Sequence, residues 1–311
     1  MQILNHADLK PYNTYRIGGT VWKMAFPETR EDFVELTKLA EGKPIMIQGG
    51  GANMVFNDGL FDALFVNTTK WRGISAVEHE GKAAIALKGG TYLPELVAYV
   101  RQQQLANYDF LAGIPGTIGG AVFMNAGAWR HYIEQDVLEV ELFDLKSNTF
   151  RTLKKDQLTF GYRHQTFVAP GEIVVSTVLD ASQLDPEVGD KILDILKTRL
   201  SKHPHEPSCG SFFKNPPGNP CGQLIEDCGL KGKQIGGIQV SPKHGNFLVN
   251  TGGGTFKDLM TLAKLVQDEV RTQKHLELEP EVWIIEDTKH PRFYQTLPRQ
   301  PNPSLIAMDA I

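Results

Sequence analysis

The chain has 311 residues, 41% hydrophobic and 22% charged, which is ordinary for a folded globular protein and excludes a disordered chain, a fibre or a coiled coil. Its 32 basic and 36 acidic side chains leave a formal net charge of -4 with no block of like charge, which excludes nucleic-acid binding by bulk electrostatics. No apolar run approaches the roughly 18 residues of a membrane span, residues 1–10 show no basic start with an apolar stretch, and the three cysteines lack C-x-x-C spacing; the expectation is no membrane, no metal, no disulfide framework and a cytoplasmic location.

Along the chain, Thr29 and Asp32 form a capping-box-like start for a helix with Phe33, Leu36 and Ala40 on one face. Strands are predicted at 44–48 (PIMIQ), 63–67 (ALFVN) and 83–87 (AAIAL). A second helix carries Leu93, Leu96, Val97 and Val100, with Pro94 in its first turn where proline is tolerated. Further strands are predicted at 138–144 (LEVELFD) and 172–177 (EIVVST). A composition shift at 180–190 marks a boundary before a helix bearing Ile192, Ile195, Leu196 and Leu200. A Pro- and Gly-rich stretch at 203–222 leads to strands near 235–240 and 246–250. A long amphipathic helix follows through Phe256, Leu259, Ala263, Val266 and Val270. VWIIE at 282–286 reads as a last strand, and the Pro-rich, aperiodic segment 290–311 is expected to lie on the surface or be mobile.

Glycine is clustered in this chain. Gly49, Gly50 and Gly51 directly follow a predicted strand, where exposed backbone N–H groups can surround an anion such as a diphosphate. The spacing is neither the dinucleotide G-x-G-x-x-G nor a P-loop, and a tight hairpin without ligand remains open for this loop taken alone. The segment 110–129, FLAGIPGTIGGAVFMNAGAW, has five glycines among apolar, small and amide or hydroxyl side chains. A solvated loop would be more polar. Such a segment suits burial against a large, flat, mostly apolar ligand that takes hydrogen bonds from backbone amides, or packing between two sheets. Two such loops could grip a diphosphate and a ring system together, so a dinucleotide bound outside a Rossmann fold is the leading reading.

Eight motifs then fall in order: NTYRIGG at 13–19, GGGAN at 49–53, GIPGTIGGAVFMNAGAW at 113–129, GYRHQTF at 161–167, GSFFKNP at 210–216, LIEDCGLKG at 224–232, HGNFLVN at 244–250 and LEPEV at 278–282. In that order, over residues 10–286, the chain resembles the UDP-N-acetylenolpyruvoylglucosamine reductase (UDP-N-acetylmuramate dehydrogenase) family, in its shorter variant. These are flavoenzymes of peptidoglycan precursor synthesis.

The resemblance implies an α+β fold: a vanillyl-alcohol-oxidase-like FAD-binding region of two small subdomains (1–182, split near 66) and a separate α+β substrate-binding domain (183–277). A strand at 278–289 would return to the FAD region, ahead of the tail 290–311. It implies non-covalent FAD, NADPH as hydride donor and a UDP-sugar substrate, with neither nucleic acid nor membrane as a partner. FAD would be held by Thr14, Tyr15 and Arg16, by Gly49, Gly50, Gly51, Ala52 and Asn53, and by Gly113, Ile114, Pro115, Gly116, Thr117, Gly119, Gly120, Asn125 and Gly127. Arg163 matches the catalytic arginine, whose fixed charged fork suits a carboxylate or enolate oxygen. Glu281 matches the catalytic glutamate, useful as a donor if burial raises its pKa. Ser211 matches the proton donor, and Tyr162, Lys214 and Asn215, with Arg163 and Glu281, would contact substrate. His244 and Asn246 are candidate pocket residues.

Three positions depart from the family pattern. Ala52 and Gln165 each replace a serine, and Trp283 stands where an arginine follows the Glu-Val pair, which would remove one positive charge near the substrate. An oxidase of the same flavin fold, or a flavin-binding module without turnover, is the alternative.

Overall fold

The computed structural model describes residues 1–295. Its first part runs β1 (Gln2–Asp8), β2 (Thr20–Phe26), α1 (Arg30–Leu39), β3 (Ile45–Gln48), β4 (Met54–Phe56) and β5 (Leu60–Asn67). The second runs β6 (Ile74–His79), β7 (Lys82–Lys88), α2 (Leu93–Gln103), α3 (Ile118–Phe123), β8 (Gly127–Ala128), β9 (His131–Tyr132), β10 (Val137–Asp144), β11 (Thr149–Lys154), β12 (Phe160–Gly161), β13 (His164–Gln165) and β14 (Glu172–Asp180). The third holds α4 (Val188–Lys202), α5 (Cys221–Asp227), β15 (Gln234–Ile235), β16 (Ile238–Val240), β17 (Leu248–Asn250) and α6 (Phe256–Lys274), followed by β18 (Trp283–Ile285) and β19 (Phe293–Tyr294). None of the described helices is long and apolar enough to cross a membrane.

One sheet has the order β1-β2-β5-β3-β19, with β2, β5 and β3 mutually parallel; a second, wholly antiparallel, has the order β11-β10-β14-β7-β6. β5 shows why the first sheet is central. Phe61, Ala63 and Phe65 pack on one face with Phe56 and Phe293, while Leu64 and Val66 pack on the other with Phe33 and Leu36 of α1. A parallel strand covered on both faces needs apolar residues at both sets of alternating positions. The α1 cluster also takes in Phe143 and Ile173, so the first helix is packed against both sheets. Its start is the expected capping box, in which the Thr29 hydroxyl accepts from the Asp32 amide and the Asp32 carboxylate from the Thr29 amide. In the third part Leu259, Leu262, Ala263, Val266 and Val270 of α6 are buried beside Ile238, Val240 and Leu248.

Two segments differ from expectation. The stretch 110–129 is not all loop, because residues 118–123 wind into α3 despite Gly119 and Gly120. The amides of Ile118 and Gly119 donate to Thr91 O and Gly89 O at 2.9 and 2.7 Å, and Ile118, Ala121 and Val122 are buried against the second sheet's core. Tertiary packing overrides the weak helix propensity of glycine here. The tail does not begin as a surface segment either: β19 adds to the first sheet through Phe293 opposite Met46 and Tyr294 opposite Ile45, and Phe293 packs on Phe65 at 5.8 Å between ring centroids. The rest of that expectation, 296–311, lies outside the described residues.

Candidate functional site

A cavity of about 1010 Å³ opens between the two sheets and the third part of the chain. That is at the upper end of the roughly 300–1,000 Å³ typical of ligand pockets. Gly49, Gly50, Gly51, Ala52 and Asn53 line it on one side, and Gly113, Ile114, Pro115, Gly116, Thr117, Gly119, Gly120 and Gly127 on the other. A smaller polar cavity of about 540 Å³ shares Gly49 and Gly50 with it and is walled by Thr14, Arg16 and His205.

The local folding explains why these loops contain glycine. Gly51 has φ +64, and a Cβ there would lie 2.1 Å from Tyr12 O, since the 9–17 turn is held against it by Thr14 N donating to Gly51 O. A Cβ on Gly49 would stand 2.4 Å from Thr117 Oγ1, and one on Gly50 3.1 Å from Gly116 Cα. The two glycine loops therefore face each other across a gap that side chains would fill. Thr117 Oγ1 is buried and lacks a hydrogen-bond partner among the described residues. An unpaired buried hydroxyl between two backbone cradles, in a long cavity with apolar walls, fits a bound dinucleotide such as FAD, whose oxygens would satisfy it.

At the same cavity stand Arg163, Ser211 and Glu281, 48 to 118 positions apart in the chain. Arg163 sits with φ +60 in the tight turn joining β12 to β13. Its Nε donates to Glu281 Oε1 at 2.7 Å and its Nη2 to Gly127 O at 3.2 Å, while Nη1 is buried without a partner among the described residues. Burial pushes the Glu281 carboxyl above its ordinary pKa, with the Arg163 guanidinium and then Lys214 pulling the other way. Ser211 and Glu281 are brought together by backbone. Glu281 N donates to Phe212 O and Lys214 N to Glu279 O, both at 2.8 Å, around a bridge between Phe213 and Pro280.

Asn246, 2% exposed, holds this segment. Its carboxamide accepts from Phe213 N at 2.9 Å and donates to Phe213 O at 2.7 Å, while its backbone O accepts from Phe212 N. Asn246 is thus a clamp behind Ser211, and His244 Nδ1 accepts from the Asn246 amide at 3.2 Å.

Five expected site residues turn elsewhere. The Tyr15 side chain is buried in the core of the third part, its hydroxyl donating to Leu248 O, because that core is completed by Tyr15 and Ile17. Asn125 donates to Glu134 and to Gly161 O at 3.0 Å each, bracing the β12 turn from behind. Tyr162 is 43% exposed and lies outside the cavity wall, with Arg163 5.1 Å over its ring. Lys214 pairs with Glu279, and the Asn215 carboxamide accepts from Cys221 N at 2.9 Å at the start of α5. Gln165, one of the departures, spends its carboxamide oxygen on Val168 N at 2.6 Å.

The structure adds residues that sequence reading missed. Arg199 of α4 lines the cavity, 4.7 Å from the Trp129 ring, with burial lowering its pKa and its Nε lacking a partner among the described residues. A signal existed: Arg199 follows Ile192, Ile195 and Leu196 on one helical stripe, where a charge is out of place. At Trp283 the region is not stripped of positive charge, since the Arg292 guanidinium lies 3.5 Å over its ring.

Comparison with known proteins agrees with this geometry. Residues 202–285 match the model of the UDP-N-acetylenolpyruvoylglucosamine reductase C-terminal domain, and residues 23–153 that of an FAD binding domain. The UDP-N-acetylenolpyruvoylglucosamine reductase of Fusobacterium nucleatum is 34% identical over 92% of this chain and 100% of its own length. That of Moorella thermoacetica is 37% identical over 91% of this chain and 94% of its own. The crystal structure of UDP-N-acetylenolpyruvylglucosamine reductase from Thermus caldophilus superposes with a TM-score of 0.77 at 31% identity, covering 91% of this chain and 98% of that one.

Proposed function

The chain belongs to the UDP-N-acetylenolpyruvoylglucosamine reductase family, and on that premise we propose that the 1010 Å³ cavity holds FAD and that Arg163, Ser211 and Glu281 carry the reaction beside it. The protein is an NADPH-dependent oxidoreductase that reduces the enolpyruvyl group of UDP-N-acetylglucosamine enolpyruvate to UDP-N-acetylmuramate, a step of peptidoglycan precursor synthesis. The two relatives described above both carry the reductase name, so the oxidase and non-catalytic alternatives gain nothing from them. The observation that carries the residue assignment is the convergence of a guanidinium, a carboxyl of raised pKa and a clamped serine on one wall of a cavity whose other walls are glycine loops.

FAD held between the glycine loops at 49–53 and 113–120 would supply the hydride chemistry linking NADPH to one carbon of the enolpyruvyl double bond. The chain's own residues manage the charge and the proton. Arg163, held by Glu281 and the Gly127 carbonyl, presents its remaining N–H groups where the substrate carboxylate gains enolate character. Glu281, whose carboxyl burial pushes up from its ordinary pKa, stands beside the same developing charge and would donate a hydrogen bond to it when protonated. Ser211 gives its hydroxyl proton to the neighbouring carbon; serine is a weak acid, so position matters, and the Asn246 clamp supplies it. Residues 1–182 would form the FAD region, 183–277 the substrate domain and 278–289 the strand that brings Glu281 back. β18 pairs in parallel with β4, directly after the GGGAN loop, and so carries Glu281 to the wall where the β12–β13 turn presents Arg163.

The test is anaerobic stopped-flow absorbance. NADPH should bleach the bound flavin, and the enolpyruvyl sugar nucleotide should then restore its oxidised spectrum without oxygen. Restoration by oxygen alone would overturn the reading.

A further inference from the structure

Arg292 enters the cavity from the short segment that leads into β19. Its backbone is held in place: Arg292 N donates to His290 Nδ1 at 3.2 Å, Phe293 N to His290 O at 2.9 Å, and residues 293 and 294 pair with β3. The guanidinium lies 3.5 Å over the Trp283 ring and 4.2 Å over that of Phe123. Among the described residues it pairs with no carboxylate, and burial alone lowers its pKa to about 10. Arg163 on the same wall has Glu281; Arg292 has nothing comparable.

With a pKa of about 10 the guanidinium is charged at neutral pH, and half-burying it without a counter-charge carries a cost. Two aromatic rings lie close enough to offset part of that cost, and they leave its N–H groups as donors. An oxyanion in the cavity would complete them. Trp283 fixes which part of the cavity this is, since its amide donates to Asn53 O at 2.9 Å, at the end of the GGGAN loop. We propose that Arg292 donates to a phosphate oxygen of the bound dinucleotide and so retains the cofactor, the segment 290–294 forming a closing wall. This rests on the assignment of the cavity to FAD made above.

The experiment compares FAD dissociation constants of the full chain, freed of flavin, by flavin fluorescence at low and high salt for the wild type, R292Q, R292K and R292M. R292Q is expected to weaken binding about tenfold or more, the scale for losing a charge-assisted hydrogen bond, with R292K intermediate and the salt dependence flatter in R292Q. Dissociation constants within about twofold of each other would overturn the proposal, as would an unchanged FAD constant with raised KM for NADPH or the UDP-sugar, which would place the phosphate on a substrate. If R292Q does not fold, R292M keeps the apolar stem and R292K the charge, and equal affinities for those two overturn it as well. Failure of the wild type to take up FAD would instead sink the cofactor assignment.

Discussion

Ser211 and Glu281 stand on paired backbone segments, yet their substitutions should read out differently. The Asn246 clamp bonds only backbone atoms of Phe212 and Phe213, so Ser211→Ala leaves it intact. That variant should be bleached by NADPH at the wild-type rate while the substrate-dependent return of the oxidised spectrum slows by about 10²–10⁴, the usual worth of a positioned proton donor. Normal return would remove Ser211 from the mechanism. Glu281 carries a pH signature in stability. Its folded pKa is raised, by burial first and against the opposing field of Arg163, above the ordinary value of 4.5. A carboxyl raised in this way contributes stability that is fully present below its unfolded pKa and lost as pH rises through the folded value. Glutamine does not titrate. Urea unfolding from about pH 4 to pH 8 should therefore show the Glu281→Gln variant gaining relative to the wild type as pH rises, whatever its offset from leaving Arg163 unpaired. A difference that stays flat across that window would mean that Glu281 ionises in the fold as it does in the unfolded chain.

At the scale of elements, the GGGAN loop joins β3 to β4 and its shape depends on Gly51, whose φ of +64 and missing Cβ let the 9–17 turn close over it. Gly51→Ala should cost about 1–3 kcal/mol in backbone strain alone and more through the contact with Tyr12 O. Denaturant unfolding of the flavin-free chain should show that loss, and FAD affinity should fall with it because the cradle shifts. An unchanged unfolding free energy would mean that the turn yields. Elements such as β5, α1 and α6 were legible because their apolar periodicity matches burial on one or two faces. The edge strand β1 is not legible because it is mostly exposed and its few apolar residues, Ile3 and Leu4, sit among polar ones; β2 is not legible either, although Val21, Met24, Ala25 and Phe26 are buried. α3 is hidden by its glycines, which lower propensity while Gly119 lets the helix approach Gly89 O, 3.0 Å from where a Cβ would stand. Where a motif marks them, Arg163, Ser211, Glu281 and the glycine loops are legible as a group, and the structure lines one cavity with them. The side chains of Tyr15 and Asn125 point into packing and hydrogen bonds away from the cavity, a direction that no motif reports. Arg292 had no signal at all, coming from an aperiodic proline-rich segment that is brought home by β19.

For the whole molecule, the cavity lining draws on both sheets, α4 and the Ser211 segment. Apolar clusters join these parts: Phe143 and Ile173 of the second sheet pack with α1, Val188 and Ile192 of α4 with the second sheet's core, and Tyr15 and Ile17 with the third part. The cavity walls are another matter: they carry Thr117 Oγ1, Arg163 Nη1 and Arg199 Nε as buried polar atoms lacking partners among the described residues. Such atoms cost stability until a ligand with oxygens in the right places completes them. A cofactor that binds only the folded chain stabilises it by mass action, about 2.7 kcal/mol at a hundredfold excess over its dissociation constant. At the usual unfolding entropy per residue, a chain of 311 residues should then gain roughly 4 °C in Tm. The stronger expectation concerns cooperativity. With FAD bound, the unfolding curves followed by tryptophan fluorescence and by far-ultraviolet circular dichroism should coincide, because the ligand ties the glycine loops of both sheets to α4. Without it they should separate, the third part unfolding on its own schedule. Coincident transitions in the flavin-free protein would show that direct packing among the three parts, such as that of Tyr15 and Ile17 into the third, already makes the chain a single cooperative unit.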